Sequence, residues 1–293
     1  MFSIRRFKDS SMKHILFGVG VSNIIIIFLI FLFIFSNGMK FFGHYSAKDF
    51  FFGAKWISLS EFYGLLPLLV GSFWVTLVAL IISIPVGIFT AIYIAEYASP
   101  KMRTTFKIII ETMSAIPSVV LGFIGLYALS TIVKDLFNLN SGLTALTGGI
   151  MLAFMAIPTI VSIADDSLNA LDKSYKEASL ALGANKVETI FNVLLPAAFP
   201  GIFAGIMLGF GRIIGETLTV LMITGNSPIL ATSPLSPVRT LTATIAAEMG
   251  EVVNGSTHYY ILFAVGLVLF GISFVTNTIA DYFINKSRKI MRK

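Results

Sequence analysis

Long apolar runs alternate with short polar stretches along the chain, at about 15–36, 66–95, 106–133, 143–164, 200–224 and 257–284. Each is long enough, or nearly so, to supply the about 20 residues a helix needs to cross the hydrocarbon core of a bilayer. Open sheets cannot cross, because their edge amides would go unpaired in lipid. The pattern therefore predicts an all-α membrane protein with six transmembrane helices. The first run follows Arg5, Arg6, Lys8 and Lys13. It is longer than the about 7–15 apolar residues of a signal peptide and no A-x-A site follows, so it reads as a retained span. Two loops are long. Residues 37–65 carry Phe41, Phe42, Phe50, Phe51, Phe52 and Trp56, which suits a segment lying at the membrane interface. Residues 225–256 open on turn-rich GNSP and SPLSP and continue as TLTATIAAEMGE, a short surface helix.

The most organised polar segment is 172–200, DKSYKEASLALGANKVETIFNVLLPAAFP. Ser174 and Glu177 have capping-box spacing, and Asn185 and Glu188 repeat it with asparagine as the cap. Gly183 lies between them, where a helix C-terminus favours a left-handed residue. The expectation is helix, glycine turn, helix, ended by Pro196. Small residues at Ala178, Ser179, Ala181, Gly183 and Ala184 keep the turn narrow enough to enter another protein's cleft.

Composition sharpens the membrane reading and sets an orientation. Of 293 residues, 56% are hydrophobic and 12% charged, against about 25% charged in soluble domains. The net charge is +6, but the basic residues sit between apolar spans rather than on one soluble face, which excludes a nucleic-acid partner. Lys and Arg accumulate in cytoplasmic loops. With the N-terminus inside, the inner segments hold Arg5, Arg6, Lys8, Lys13, Lys101, Arg103, Lys107, Lys173, Lys176, Lys186, Lys286, Arg288, Lys289, Arg292 and Lys293, and the outer ones only Lys40, Lys48, Lys55, Lys134 and Arg239. Both termini are expected in the cytoplasm. Cysteine is absent, which removes disulfides, thiolate catalysis and cysteine metal sites.

One cation and one acid fall inside the fifth apolar run, in GFGRIIGETLTVLMITGN at 209–226. At about 100° per residue, Gly201, Gly205, Gly209, Arg212 and Glu216 share roughly an 80° arc of a continuous helix. Glycines spaced by four let another helix approach closely, so this face points into the bundle. An arginine at the centre of a span costs about 2.5–3.5 kcal/mol on insertion scales and needs compensation. Either Arg212 and Glu216 neutralise each other across one turn, or Arg212 offers a planar fork to two oxygens of a passing anion, with Glu216 as a competitor that keeps it from becoming a trap. Two other spans share an AIP[ST] tetrapeptide, Pro117 before Ser118 and Pro158 before Thr159. A proline frees a carbonyl in the preceding turn, and the hydrophilic kinks at Ser118 and Thr159 are expected to border the same pathway.

The segment Glu177-Ala178-Ser179, then Gly183, then Val193-Leu194-Leu195-Pro196, resembles the E-A-A, three residues, G, nine residues, I-x-L-P motif of the membrane subunits of ABC importers, with Ser for Ala and Val for Ile. LLPLLVGSFWVTLVAL at 65–80, AIYIAEYASPKMR at 91–103, AIPSVVLGF at 115–123, GRIIGETLTVLMITGN at 211–226, and TLTATIAAEMGEV with STHYYILF within 240–263 resemble the PstC-type permease of phosphate importers. The partner permease of such importers looks similar around the loop but typically carries alanine where Gly211 stands and lacks the GETLTVLMITGN continuation. The resemblance implies a type I importer fold of six transmembrane helices. Residues 1–60 would be a tail, first span and external loop, 61–285 the permease domain with its coupling loop at 172–200, and 286–293 a cytoplasmic tail. It further implies a heterodimer with a second permease, two ATP-binding subunits inside, a phosphate-binding protein outside, and phosphate ion as cargo in the lipid bilayer of a prokaryotic cell membrane. Glu177, Ala178 and Gly183 would couple to the ATPase, and Arg212 and Glu216 lie in the segment associated there with phosphate passage.

Other chemistry lacks its residues. No G-x-x-x-x-G-K-[ST] string is present to hold nucleotide phosphates, so the chain does not hydrolyse ATP itself. His14, His44 and His258 are scattered, with no H-E-x-x-H and no G-x-S-x-G. A metal, a cofactor and catalytic residues are therefore not expected. A channel, or an intramembrane enzyme relying on Arg212 and Glu216 without a nucleophile, is the reading from another class. Among transporters, a permease for sulfate or molybdate, or the partner phosphate permease, stays open.

Overall fold

The computed structural model describes the backbone of residues 2–291 and the side chains of residues 12–284. The side chains of Arg5, Arg6, Lys8, Lys286, Arg288, Lys289, Arg292 and Lys293, on which the orientation partly rests, lie outside the described residues. Helix α1 (Phe2–Phe41) is followed by α2 (Ala47–Phe52) and by a hairpin of β1 (Trp56–Ile57) and β2 (Phe62–Tyr63), in which Trp56 pairs with Tyr63. Helix α3 (Leu66–Ile92) runs on through a π-turn, Tyr93–Tyr97, to α4 (Pro100–Ala115). Helix α5 (Ser118–Ile124) continues through a π-turn into α6 (Ser130–Leu136), and α7 is Ala145–Asn169. Then come α8 (Lys173–Ala181), α9 (Lys186–Thr189), a π-turn over Ile190–Leu194, α10 (Leu195–Gly215), α11 (Leu218–Ile223), α12 (Leu241–Glu248) and α13 (Thr257–Met291).

Among the described residues, six helical stretches are long and apolar enough to cross a membrane: Met12–Phe41, Leu66–Tyr97, Ser118–Leu136, Ala145–Asn169, Lys186–Gly215 and Thr257–Ile284. Two of them differ from the sequence pattern. The third starts at Ser118 rather than about 106, because Ile116 precedes a proline and takes an extended ψ of 125°, the conformation that proline imposes on its predecessor. Residues 100–115 form the separate helix α4. The fifth begins at Lys186 and ends at Gly215, not over 200–224. Pro196 does not end the preceding helix either; the span runs on through it, directly after the π-turn at Ile190–Leu194.

The centre of the bundle is α7, gripped by α3 and α10. Ile160, fully buried, lies between Gly87 of α3 and Gly209 of α10. A Cβ on either glycine would come within 2.7 and 2.9 Å of it, so the two glycines set the interaxial spacing. Helices α1 and α13 pack antiparallel at the side, with Phe31 on Phe270 and Phe33 on Phe263. The loop at 37–65 is not a simple interfacial segment: Phe41, Phe50 and Trp56 are buried against Tyr63, Leu65, Ile261 and Leu262, leaving Phe51 and Phe52 exposed. The short helix α12 is likewise inserted, with Leu241 through Thr244 buried, because its first turn is held by Ser72 of α3 (Leu241 N to Ser72 Oγ, 3.0 Å).

Candidate pathway site and coupling hairpin

The fifth span breaks at its charged end. Helix α10 stops at Gly215, and Glu216 takes an extended ψ of 132° as its C-cap. Arg212 and Glu216 are thus not one turn apart on a continuous helix, and no ion pair forms between them. Instead the Glu216 carboxylate accepts from the Thr219 amide (3.1 Å), and its backbone carbonyl accepts from the Thr242 hydroxyl (2.8 Å). Both bonds fix the turn into α11. The Thr219 hydroxyl donates to the Ser118 carbonyl (3.0 Å), so the start of α5 and the turn at Glu216 meet through one buried threonine. Thr159, half-buried on α7, lies one turn beyond Met155, whose sulfur is 3.7 Å from that hydroxyl. Ser72, Thr76, Glu216, Thr240 and Thr242 line a crevice of about 10 Å³, room for about one water.

Arg212 is half-buried in the last turn of α10. The glycines on either side of it, Gly211 and Gly215, meet nothing within 4 Å, in contrast to Gly205 and Gly209, which press on α7. The inward-facing glycine stripe is as expected. The edge around Arg212 is left uncovered by this chain.

The two AIP[ST] sequences take different structures. Pro117 marks a full break, whereas Pro158 is buried within continuous α7. The flanks decide this: α7 is clamped on two sides, and the α4–α5 junction is not.

The segment 172–189 folds as helix, turn, helix. Gly183 has φ +89°, the left-handed conformation expected of it. Asn185 and Glu188 form both bonds of a capping box. The first helix departs from expectation. Its cap is Asp172, whose carboxylate accepts from the Ser174 amide (2.8 Å), not Ser174 with Glu177. Hydrogen bonding from Ser174, its amide first and its side chain second, holds the Asp172 carboxyl below its usual value, since it favours the charged form. Glu177, Ala178 and Gly183 are all exposed, and Leu182 at the tip is 89% exposed. Inside the hairpin the Ser179 and Thr189 hydroxyls bond at 2.9 Å.

Two acid-centred networks lie outside the sites the sequence pointed to. Glu248 accepts from Trp56 Nε1 (3.1 Å), Ser58 Oγ (3.1 Å) and Arg239 Nη1 (2.6 Å), and meets His258 Nε2 at 2.7 Å. It joins both long loops to the start of α13. Burial, then the nearby Glu61 and Glu248 charges, push the Tyr63 phenol above its usual value beside this network. Asp165, 2% exposed at the far end of α7, pairs with Arg103 (3.6 Å) and Lys107 (3.4 Å) of α4. Here a signal did exist: two cations four residues apart, ahead of an acid at the end of a span.

A six-span bundle with an exposed glycine-turned hairpin and a broken, charged span defines a polytopic helical membrane protein. The model of the binding-protein-dependent transport system inner membrane component family matches residues 83–289, and the chain belongs to that family, the membrane permease components of ABC importers. It is 40% identical over 228 residues to the probable ABC transporter permease protein YqgH of Bacillus subtilis, covering 78% of this chain and 74% of that protein. It is also similar to phosphate transport system permease proteins PstC, at 32% identity with that of Xylella fastidiosa (79% and 77% covered) and 31% with a probable one of Methanocaldococcus jannaschii (78% and 78%). These relatives make it a PstC-type permease by sequence. Among solved structures, a chain of a bacterial alginate ABC importer matches with TM-score 0.61 over 98% of this chain and 99% of that one at 16% identity, and one of the MetNI methionine transporter with 0.57 over 76% and 94% at 19%. They share the type I importer fold. The chain is therefore a multi-pass inner-membrane transport subunit and not an enzyme, with ATP hydrolysis on separate subunits and a partner permease and substrate-binding protein implied by the family.

Proposed function

We propose that this permease carries inorganic phosphate inward, as one half of a heterodimer with a second permease, driven by two cytoplasmic ATPase subunits and fed by an external phosphate-binding protein. The observation that carries this reading is Arg212: a cation within the membrane, without an ion-pair partner among the described residues, on an edge its own chain leaves open. A guanidinium there matches two oxygens of a tetrahedral anion. The similarity to PstC proteins supports phosphate as that anion. Glu216 anchors the broken segment, and Ser118 and Thr159 line the approach. Glu177, Ala178 and Gly183 present the hairpin to the ATPase, and both termini face the cytoplasm.

The test is phosphate uptake by Arg212→Gln in the reconstituted complex. A charge-assisted hydrogen bond is worth about 1.5–3 kcal/mol, so uptake falls about tenfold or more. Unchanged flux would remove Arg212 from the pathway. Uptake of sulfate or molybdate in place of phosphate, through a binding protein that holds that anion, would move the assignment to another oxyanion.

A further inference from the structure

We infer that Glu96 is a positioning residue that clasps the coupling hairpin to α3, so that hairpin movement is passed to the far end of the bundle. Both helices of the hairpin converge on one point. From α8, Lys176 Nζ meets Glu96 Oε2 at 2.5 Å. From α9, Lys186 Nζ donates to the Glu96 carbonyl at 2.6 Å and stands 3.9 Å over the Tyr97 ring. The Glu96 side chain is 12% exposed against 40% for Lys176, so the acid is the fixed half of the pair and the lysine the half that travels. Ile190 and Leu194, at the root of the hairpin, pack in one buried cluster with Ile92 and Ile94.

Residues 93–97 are the π-turn that ends the second span, and α3, which continues through Pro85 and packs along α7, carries what happens there. Its 27 residues span about 40 Å. At the other end Ser72 holds the first turn of α12, and Ser72 and Thr76 border the crevice containing Glu216. Besides its chain connection to α7, the hairpin thus has two routes to the walls around Arg212 and Glu216. One is covalent, through α10, whose last turn carries Arg212; the other is the Glu96 clasp, through α3, which ends at the wall facing Glu216. Moving both walls together opens or closes the site. Moving α10 alone leaves α3 behind. The buried acid at the end of α7, Asp165, binds α4 and makes no bond to the hairpin.

The experiment uses the full complex in proteoliposomes, with its own ATPase subunits, partner permease and binding protein, and inorganic phosphate as the probe. Glu96→Gln keeps side-chain shape and removes the charge. Basal ATP hydrolysis is expected to persist, while uptake per ATP and stimulation by the loaded binding protein fall about fivefold, the low end of a typical coupling energy. Exchanging the charges, Glu96→Lys with Lys176→Glu, restores both. Unchanged uptake per ATP in Glu96→Gln and in Lys176→Met overturns the inference. So does a parallel loss of complex and of hydrolysis that the exchange fails to restore. The inference rests on the permease family and uses phosphate only as probe. A wild-type complex that moves no phosphate counts against the phosphate reading, and binding-protein stimulation of hydrolysis then decides on Glu96.

Discussion

Glu248 is shared by Trp56, Ser58, Arg239 and His258, four groups from three separate parts of the chain. Glu248→Ala removes the common acceptor and leaves the Arg239 guanidinium, 16% exposed, without its charge partner. The expected loss is about 2–4 kcal/mol, read as a lower apparent melting temperature of the purified protein in detergent. Asp172 acts differently, because it is exposed and caps one helix. Its lowered carboxyl value means that the cap contributes fully above the ordinary value of 3.8 and is lost as pH falls through the lower folded one. Hydrogen exchange over residues 173–181 is therefore expected to rise only on acidification below that value. Asp172→Asn, which keeps the cap without the proton, shows no such rise.

Elements are held apart at distances their glycines set. Gly209→Leu drives a side chain into Ile160, already within 2.9 Å of a Cβ there. Overpacking of this kind costs about 1–3 kcal/mol, so less folded protein accumulates in the membrane. Gly211→Leu, on the uncovered edge, leaves folding of the single chain unchanged and serves as the control. Gly183→Val forces a β-branched residue to φ +89°, at about 1–3 kcal/mol. It weakens ATPase binding, measured by co-purification, while the spans remain intact. The AIP[ST] pair belongs to this scale too: one tetrapeptide breaks the chain where neighbours are sparse and is absorbed where α3 and α10 clamp the helix.

At the scale of the molecule, α1 and α13 run antiparallel, so the start of α1 and the end of α13 lie at the end of the bundle from which α10 and the hairpin depart. The chain has no cysteine, and single cysteines report sidedness without background. Leu59→Cys, at a fully exposed position between β1 and β2, and Leu182→Cys, at the hairpin tip, are expected to react with an impermeant maleimide from opposite faces. In intact cells only the first is labelled. Labelling of the second would reverse the proposed orientation.

Six spans, their order, the hairpin with its glycine turn and the cap at Asn185 were legible from the sequence alone. They rest on interactions within about twenty residues: continuous apolarity, a left-handed turn, an amide reached by a side chain three positions back. The motif-bearing segments also carried the family. Tertiary structure decided what depends on neighbours. Apolarity runs straight through Glu216 to Ile223, yet the helix ends at Gly215, because the Thr242 hydroxyl, donating from the distant α12, and the Thr219 amide take up the groups a continuous helix would use. The same holds for Phe41 and Trp56, aromatic enough for an interface but buried once the hairpin of β1 and β2 folds over α13. Glu248 and Glu96 became recognisable only with their partners in place. A charge inside a largely apolar chain is stabilised by what it meets, and partners 80 or 192 residues away leave no periodic trace.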